Sequence, residues 1–226
     1  MNERVTGTSA RSTDGGTAFE LNPQAAQMAD ESMVRTLAAQ ARAIWPQEAP
    51  LLLRYRLPSE PAILDAGCGT GEGASRLAEL FGSARVLGVD IIDAHLDLAR
   101  SRYARHAPRL SFSHQSIYGL AAADEAFDLV ACRHVLHSIP HTDRVLAELV
   151  RVTRHGGYLH VIAEDYGMIH FDERSGVRDF WNVAPAAFSA ATGTDLFTGR
   201  NIVPLLSQLD VDAITVDYAI VDTLRV

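Results

Sequence analysis

Short apolar runs alternate with amphipathic stretches along most of this 226-residue chain. The runs have the length of strands and are mostly apolar throughout, whereas the stretches between them repeat apolar residues at helical spacing. The predicted strands are "AILDA", "RVLGVD", "LSFSHQS", "FDLVACR" and "YLHVIAED", and the predicted helices between them are Glu72 to Phe81, Ala94 to Arg105 and Thr142 to Arg154. Such alternation is typical of a parallel sheet covered on both faces. We therefore predict an α/β fold with three layers around a doubly wound, mainly parallel sheet.

The pattern changes towards the N-terminus. Residues 1–17 are rich in Gly, Ser and Thr and are predicted to be a disordered tail, which leaves residues 18–226 as a single domain. From Pro23 to Trp45 apolar residues recur at helical spacing, and Pro46 is expected to end this helix. A short second helix in "PLLLRYRL" would complete a helical cover over residues 23–58.

The pattern also changes towards the C-terminus. A predicted helix from Ile202 to Leu209 is followed by "AITVDYAIVDTLRV", which is predicted to form a sixth strand. No clear seventh strand follows, so we expect an open sheet edge or an edge that a partner chain covers. A homodimer through that edge is one hypothesis.

Composition and charge narrow the class of protein. Hydrophobic residues make up 47% of the chain, charged residues 21%, and the mean hydropathy is +0.02, as in ordinary globular proteins. The sequence has no apolar run near the roughly 20 residues of a membrane span and no secretory signal, so we expect a cytoplasmic protein. The net charge is −8 with scattered arginines, so a nucleic-acid partner is not expected. The cysteines, Cys68 and Cys132, have no metal-ligand partner at useful spacing, so neither a metal site nor a disulfide framework is predicted.

Four glycines stand at every second position in "GCGTGEG", directly after the first predicted strand. In open parallel sheets the ligand lies beyond the carboxyl ends of the strands, and the first turn carries the glycines. The residues "GTGEGA" satisfy a dinucleotide fingerprint, but Asp65 ahead of the turn places a carboxylate where the ligand enters. A carboxylate suits a cationic or amine-bearing group better than a phosphate. The alternative is that the glycines serve close packing of helix on strand, and Gly73 is assigned to that role.

The stretch "LDAGCGTG" resembles the first motif of the class I S-adenosylmethionine-dependent methyltransferases, in which an acidic residue precedes three alternating glycines. The resemblance continues in "EAFDLVACRHVLHSIP" and "VLAELVRVTRHGGYLHVIAED", which are similar to the fourth strand, the following helix, the glycine turn and the fifth strand of that family. In these residues "RHGG" is predicted to be a helix C-terminus, with basic residues followed by glycine. Residues 61–165 would then form the cofactor-binding core.

The resemblance implies S-adenosylmethionine as the cofactor and assigns roles to single residues. The turn from Gly67 through Cys68 and Gly69 to Gly71 would pass the methionine moiety and ribose, with Asp65 facing the amino group. The remaining cofactor contacts would come from Asp90 and Ile91 at the ribose, Gln115 and Ser116 at the adenine, and Arg133 close by. An arginine beside a sulfonium is electrostatically unfavourable unless a carboxylate balances it.

Candidate residues for the methyl acceptor follow the fourth and fifth strands. His134 and His137 are candidate bases, although such histidines are also common as solvated or capping groups. Glu164, Asp165 and Tyr166 could orient an acceptor, or Glu164 could merely balance Arg133. Residues 166–200 form an insert with six aromatic residues, which would line an acceptor pocket or pack an extra helix.

These observations predict methyl transfer to an oxygen or nitrogen atom of a small molecule. Two alternatives remain open at this point. One is a protein that binds S-adenosylmethionine without turnover, and the other is a nicotinamide-dependent reductase, because an acid at the position of Asp90 suits a dinucleotide as well.

Overall fold

A computed structural model describes residues 22–23, 25–28, 30–169 and 177–221. The predicted disordered tail and Phe171 of the insert lie outside these residues. The helices are α1 (Ala25–Met28), α2 (Glu31–Leu52), α3 (Glu72–Leu80), α4 (Asp93–Arg102), α5 (Thr142–Val152), α6 (Val177–Thr192) and α7 (Thr198–Leu206). The strands are β1 (Ala62–Ala66), β2 (Arg85–Asp90), β3 (Leu110–His114), β4 (Phe127–Arg133) and β5 (Thr153–Ile162). Short 3₁₀ turns cover Ala104–His106, Leu136–Ser138 and Tyr166–Met168.

The five strands form one sheet in the order β3-β2-β1-β4-β5, and all the pairs are parallel. This confirms the predicted α/β fold with a parallel sheet. The chain crosses from β3 over β2 and β1 to β4, so the strand order reverses next to β1. A crevice at the carboxyl ends of β1 and β4 is therefore the expected place for a ligand.

The two faces of the sheet are covered by different helices, and the alternation of side chains along each strand decides which residue faces which helix. Ile63, Leu129 and Ala131 pack with residues of α2 and α3. Their chain neighbours Leu64 and Val130 pack on the opposite face with residues of α5 and α7. Asp65 is two residues beyond Ile63 and Arg133 is two beyond Ala131, so both lie on the face that α2 and α3 cover.

Helix α2 does not end at Pro46, as the sequence analysis predicted, and "PLLLRYRL" forms no separate helix. The helix runs through Pro46 and Pro50 to Leu52. An interior proline costs about 3 kcal/mol because it removes a backbone hydrogen bond and crowds the preceding turn. Here both prolines are exposed, while Ile44, Glu48 and Leu52 on the opposite face are buried against the sheet. Tertiary packing of that face offsets the local cost.

The prediction that "RHGG" ends a helix is also wrong. Helix α5 ends at Val152, and Arg154 to Gly157 belong to β5, where the pairing with β4 is irregular. Gly156 has a φ of 75°, and a side chain on Gly157 would lie 2.9 Å from the carbonyl oxygen of Asp128. The two glycines thus allow a bulge at the start of the strand.

The predicted sixth strand is not found in the described part of the C-terminal stretch. Residues 213–221 have no regular secondary structure and are exposed. They lie along the C-terminal part of α2, where Gln47 exchanges two hydrogen bonds with the backbone of Ile220 and Arg54 pairs with Asp217 at 3.1 Å. Because these contacts hold the stretch at α2, β5 remains an edge strand among the described residues. The last helix also begins earlier than predicted, at Thr198 instead of Ile202.

Within the described ranges, no helix is long and apolar enough to cross a membrane. The same residues include no group of three or more His, Cys, Asp or Glu side chains placed to hold a metal ion.

Candidate functional site

A cleft that is partly open to solvent lies at the carboxyl ends of β1, β2 and β4. Its wall includes nine of the residues that were predicted to contact a cofactor: Asp65, Gly67, Cys68, Gly69, Asp90, Ile91, Gln115, Ser116 and Arg133. Helices α1 and α2 add Met28, Leu37, Gln40 and Ala41 from the other side. The N-terminal helices therefore form part of the wall of the cleft.

The structure places Gly71 and Gly73 differently with respect to the cleft. Gly71 is absent from the cleft wall, has a φ of 85°, and a side chain there would lie 2.9 Å from Ala99. Gly73 lies on the wall, and its added Cβ would be 2.0 Å from Nη1 of Arg133 and 2.9 Å from Oδ2 of Asp65. Gly71 thus serves the turn and packing, while Gly73 leaves room for two charged side chains.

Asp65 is buried at the end of β1, and its Oδ2 atom has no hydrogen-bond partner among the described residues. Burial and the negative charges of Glu48 and Asp90 raise the pKa of this carboxyl, and the positive charge of Arg133 lowers it. Burial is the largest cause, and the net pKa is about 6. An unpartnered buried carboxylate is costly unless a donor reaches it. The site fits a ligand that brings a cationic N–H donor, as the amino group of S-adenosylmethionine would.

Asp90 ties the glycine turn to the end of β2. Its Oδ2 accepts a hydrogen bond from the backbone N–H of Gly69 at 2.8 Å, and its Oδ1 accepts from that of Ile92 at 3.0 Å. Each carboxylate oxygen can accept a second hydrogen bond. Asp90 can therefore shape the turn and still accept from ribose hydroxyls.

Gln115 is held by its own neighbours. Its Oε1 accepts from the backbone N–H of Ala121 at 2.9 Å, and its Nε2 donates to Ser113 Oγ at 3.1 Å. One lone pair on Oε1 is left for an adenine amine. His95, which the sequence analysis did not single out, lies on the same wall and bonds through Nε2 to the carbonyl of Met28 at 2.8 Å, which joins α1 to α4.

Arg133 is balanced by Glu48 of α2 and not by Glu164. Its Nε and Nη2 atoms donate to the two Glu48 oxygens at 2.5 and 2.7 Å, and both side chains are buried. Nε2 of His160 lies 3.3 Å from Oε1 of Glu48, and Nδ1 of the same ring lies 2.8 Å from the Tyr55 hydroxyl. Burial raises the pKa of Glu48, but His160 and Arg133 lower it to a net value below the ordinary one. The sequence held a signal for this residue, since Ile44, Glu48 and Leu52 share one helical face, but an assumed helix end at Pro46 concealed it.

Glu164 stands between the two candidate bases. One oxygen contacts Nδ1 of His134 at hydrogen-bonding distance, and the other lies 2.7 Å from Nδ1 of His137. Burial raises the pKa of Glu164, but the hydrogen bonds and charges of both histidines lower it to about 2. Gln40 of α2 donates to the same carboxylate at 3.1 Å. Glu164 is therefore ionised, and its Oε1 accepts from His134 and Gln40 while its Oε2 faces Nδ1 of His137.

His134 has an unusual backbone conformation. Its φ is 61°, in the left-handed region that side chains other than glycine seldom adopt, and its N–H donates to the carbonyl of Ile162 at 3.0 Å. Its side chain lies on the cleft wall, and its Nε2 has no hydrogen-bond partner among the residues described. Strained residues of this kind are concentrated at functional sites.

The other acceptor-side candidates, Asp165 and Tyr166, do not line the cleft. Asp165 is paired with Arg200 of α7 at 2.7 Å and caps the following turn, so the structure does not bring it to the cleft. The ring centroid of Tyr166 lies 5.7 Å from that of His137 and 5.5 Å from that of Trp181. The ring of Trp181 in turn contacts that of Phe180. A row of rings thus leads from the histidines to α6.

Comparison with known proteins shows related sequences and folds. Residues 63–157 match the family described as "Methyltransferase domain". A phthiotriol/phenolphthiotriol dimycocerosates methyltransferase of Mycobacterium ulcerans is 39% identical over 97 residues, which are 43% of this chain and 35% of that protein. The chain spans between 25% and 35% of the length of the curated relatives it matches.

Solved structures resemble this chain at the level of the fold. Phosphoethanolamine N-methyltransferase 2 of Haemonchus contortus, in complex with S-adenosyl-L-methionine, has a TM-score of 0.56 and 20% identity over 73% of this chain and 36% of that one. Geranyl diphosphate C-methyltransferase of Streptomyces coelicolor, in complex with S-adenosyl-L-homocysteine, has a TM-score of 0.55 and 15% identity over 72% of this chain and 56% of that one.

Proposed function

We propose that this chain is a class I S-adenosylmethionine-dependent methyltransferase, which transfers a methyl group to an oxygen or nitrogen atom of a small molecule. The observation that carries the proposal is the combination on one cleft wall of the Asp65 carboxylate with its unpartnered Oδ2, the glycine turn and the His134 imidazole. The first two suit the cofactor, and the third suits an acceptor that must lose a proton.

Bound S-adenosylmethionine would supply an electrophilic methyl group, with S-adenosylhomocysteine as the leaving group of an in-line displacement. The protein then has to hold the two reactants in line and to exclude water. Asp65 would bind the amino group, and Asp90 would accept from the ribose hydroxyls. Helix α2, with Leu37 and Ala41 on the cleft wall, would keep solvent out.

His134 is proposed as the general base, and Glu164 as the group that orients it. The imidazole donates Nδ1–H to Glu164, so the neutral ring carries its lone pair on Nε2. Gln40 lies 3.2 Å from the same Nδ1, but its amide nitrogen is also a donor, so its hydrogen bond goes to Glu164 instead. Because Glu164 is an acceptor facing Nδ1 of His134, the ring keeps its proton on Nδ1. Nε2 can then take a proton from a hydroxyl or an ammonium.

A small acceptor is proposed because the cleft is partly enclosed by α1 and α2 and the chain is acidic overall. The matched methyltransferases are named for different acceptors, and one of them transfers to carbon. An ionisable acceptor is favoured here because the residues offer a base in a defined tautomer.

Isothermal titration calorimetry tests cofactor binding. S-adenosylmethionine and S-adenosylhomocysteine should bind, and NADPH should not. Asp65→Ala and Asp90→Ala should each lose about 1–3 kcal/mol of binding free energy, as expected for a charged hydrogen-bond partner. Asp97→Ala is the control, because Asp97 is an exposed acid of α4 that pairs with Arg100. Unchanged affinity in both site variants would refute the cofactor site.

Turnover is tested with S-adenosylmethionine labelled in the methyl group. Phenols, amines and carboxylic acids are offered in turn, and labelled product is separated from the cofactor. Product with an oxygen or nitrogen acceptor supports the proposal. Tight cofactor binding with no S-adenosylhomocysteine formed from any acceptor would indicate a binding protein without turnover.

A further inference from the structure

Three charged side chains from different parts of the chain meet beside Gly73. Glu48 comes from α2, Arg133 from the end of β4 and Asp65 from the end of β1. All three are buried, and an added Cβ on Gly73 would touch both Nη1 of Arg133 and Oδ2 of Asp65. Nη1 of Arg133 and Oδ2 of Asp65, which belong to groups of opposite charge, thus occupy the space that a side chain at position 73 would need.

The guanidinium of Arg133 is only partly used. Nε and Nη2 bind the two oxygens of Glu48 as a fork, which fixes the plane of the group. The bonds to Glu48 run through Nε and Nη2, while Nη1 lies beside Gly73 and Arg133 is on the cleft wall. One donor nitrogen of a rigidly held cation is therefore directed to the region of Gly73.

The charges of this group do not cancel. One cation faces two carboxylates, so the protein has an excess of about one negative charge when Asp65 is ionised. A zwitterion adds no net charge, and its ammonium can reach Oδ2 of Asp65 while its carboxylate reaches Nη1 of Arg133. A sulfonium next to the zwitterion would neutralise the excess negative charge of the protein.

We propose that Arg133 binds the carboxylate of the amino-acid end of S-adenosylmethionine through Nη1, and that Glu48 is a positioning residue that holds the guanidinium for it. The ammonium of the same end binds Asp65. The inference rests on the proposed function, because it assigns residues to the same cofactor. It also makes α2 part of the cofactor site, since the N-terminal helix supplies the residue that orients Arg133.

The first test uses the unaltered protein and three ligands in calorimetry. S-adenosylmethionine is compared with its decarboxylated analogue, which keeps the sulfonium and the ammonium but lacks the carboxylate. The analogue should bind at least about tenfold more weakly, as expected for a lost charged hydrogen bond. 5′-Methylthioadenosine lacks the whole amino-acid end and serves as the nucleoside reference.

The second test uses variants. In Arg133→Gln the difference between S-adenosylmethionine and its decarboxylated analogue should fall to within about twofold. Glu48→Gln should weaken S-adenosylmethionine by about fivefold to tenfold and leave 5′-methylthioadenosine unchanged, because only the amino-acid end contacts Arg133. Glu31→Gln is the matched control on the same helix, since Glu31 is exposed and pairs with Arg35.

The outcomes separate the two proposals. Equal binding of S-adenosylmethionine and its decarboxylated analogue by the unaltered protein overturns this inference and leaves the methyltransferase proposal standing. Equal weakening of S-adenosylmethionine and 5′-methylthioadenosine in Glu48→Gln shows that Glu48 is structural, which overturns its positioning role. Absence of binding by every ligand overturns the proposed function and this inference with it.

Discussion

At the scale of single residues, the candidate site contains two carboxylates with opposite pKa shifts. Burial raises the pKa of Asp65 to about 6, whereas two histidines lower that of Glu164 to about 2 despite burial. The difference follows from their partners, because no donor among the described residues reaches Oδ2 of Asp65, whereas Oε1 of Glu164 accepts from His134 and Gln40. Asp65 can therefore bind a cationic ligand, whereas Glu164 is already occupied by side chains of the protein.

The role of His134 predicts a selective loss of turnover. His134→Gln should lower the methyl transfer rate by about 10²–10⁴-fold, the usual contribution of general base catalysis, and leave S-adenosylhomocysteine binding within about twofold. Glu164→Gln should lower the rate as well, because the ring then loses its orienting charge. Rates are measured with labelled cofactor, and binding by calorimetry. His155→Gln is an exposed histidine control. An unchanged rate in His134→Gln would rule out its role as base.

The pKa of Asp65 predicts a pH dependence of cofactor binding. An ammonium binds the ionised carboxylate, so affinity is full above the pKa of about 6 and is lost as the pH falls through it. Between about pH 7.5 and 5.5 the affinity for S-adenosylhomocysteine should fall roughly fourfold, with proton release on binding near the pKa. The charged groups that face Asp65 are Arg133, Glu48 and Asp90, and none of them changes the direction. Calorimetry in buffers of different ionisation enthalpy measures both effects. Asp65→Asn should abolish the dependence, and its persistence there would assign it to another group.

At the scale of elements, the approach of α3 to the ends of β1 and β4 depends on one small residue. Gly73 lies in the first turn of α3, where alanine would favour the helix by about 1 kcal/mol on propensity alone. The added methyl group would nevertheless displace Arg133 or Asp65. The helix and the charged group are therefore compatible only with glycine at this position.

Gly73→Ala should weaken S-adenosylmethionine binding by roughly tenfold and should not stabilise the protein, because the clash outweighs the gain in propensity. Binding is measured by calorimetry, and the free energy of unfolding by urea titration. Gly82→Ala is the control, since an added Cβ there meets nothing within 4 Å. A more stable Gly73→Ala variant with normal affinity would contradict the packing described here.

At the scale of the whole molecule, the described sheet ends at β5, which pairs only with β4. The stretch that was expected to continue the sheet contacts α2 instead, with Val216, Tyr218 and Ile220 exposed. Edge strands present unpaired backbone groups that a second chain can use.

The homodimer through the sheet edge stays a prediction. Multi-angle light scattering should give a mass that rises from monomer to dimer, twice 24.5 kDa, as concentration increases. A charge introduced on the edge strand, as in Tyr158→Lys, cannot serve as the test because Tyr158 packs in the core with Tyr55. The concentration series is therefore the measurement. A constant monomer mass at high concentration would contradict the dimer.

Much of the fold was predictable because its signals are local. Strands β1, β2 and β4 match the predicted apolar runs residue for residue, since a buried parallel strand is apolar wherever it occurs. The errors lie where distant contacts override local preference. Burial of one helical face carries α2 through Pro46, and hydrogen bonds to Gln47 draw the C-terminal stretch away from the sheet.

The sequence by itself determined the parallel sheet, the glycine turn after β1 and the resemblance to the methyltransferases, because these depend on residue types at fixed spacing. It also placed Asp65, Asp90 and His134 at the carboxyl ends of strands. Only the tertiary structure decided the partners of those residues: Glu48 for Arg133, Glu164 for His134, and Gly73 instead of Gly71 on the cleft wall. A charge pair between residues that are 85 positions apart leaves no periodic trace in the chain, so it can be found only where the elements pack.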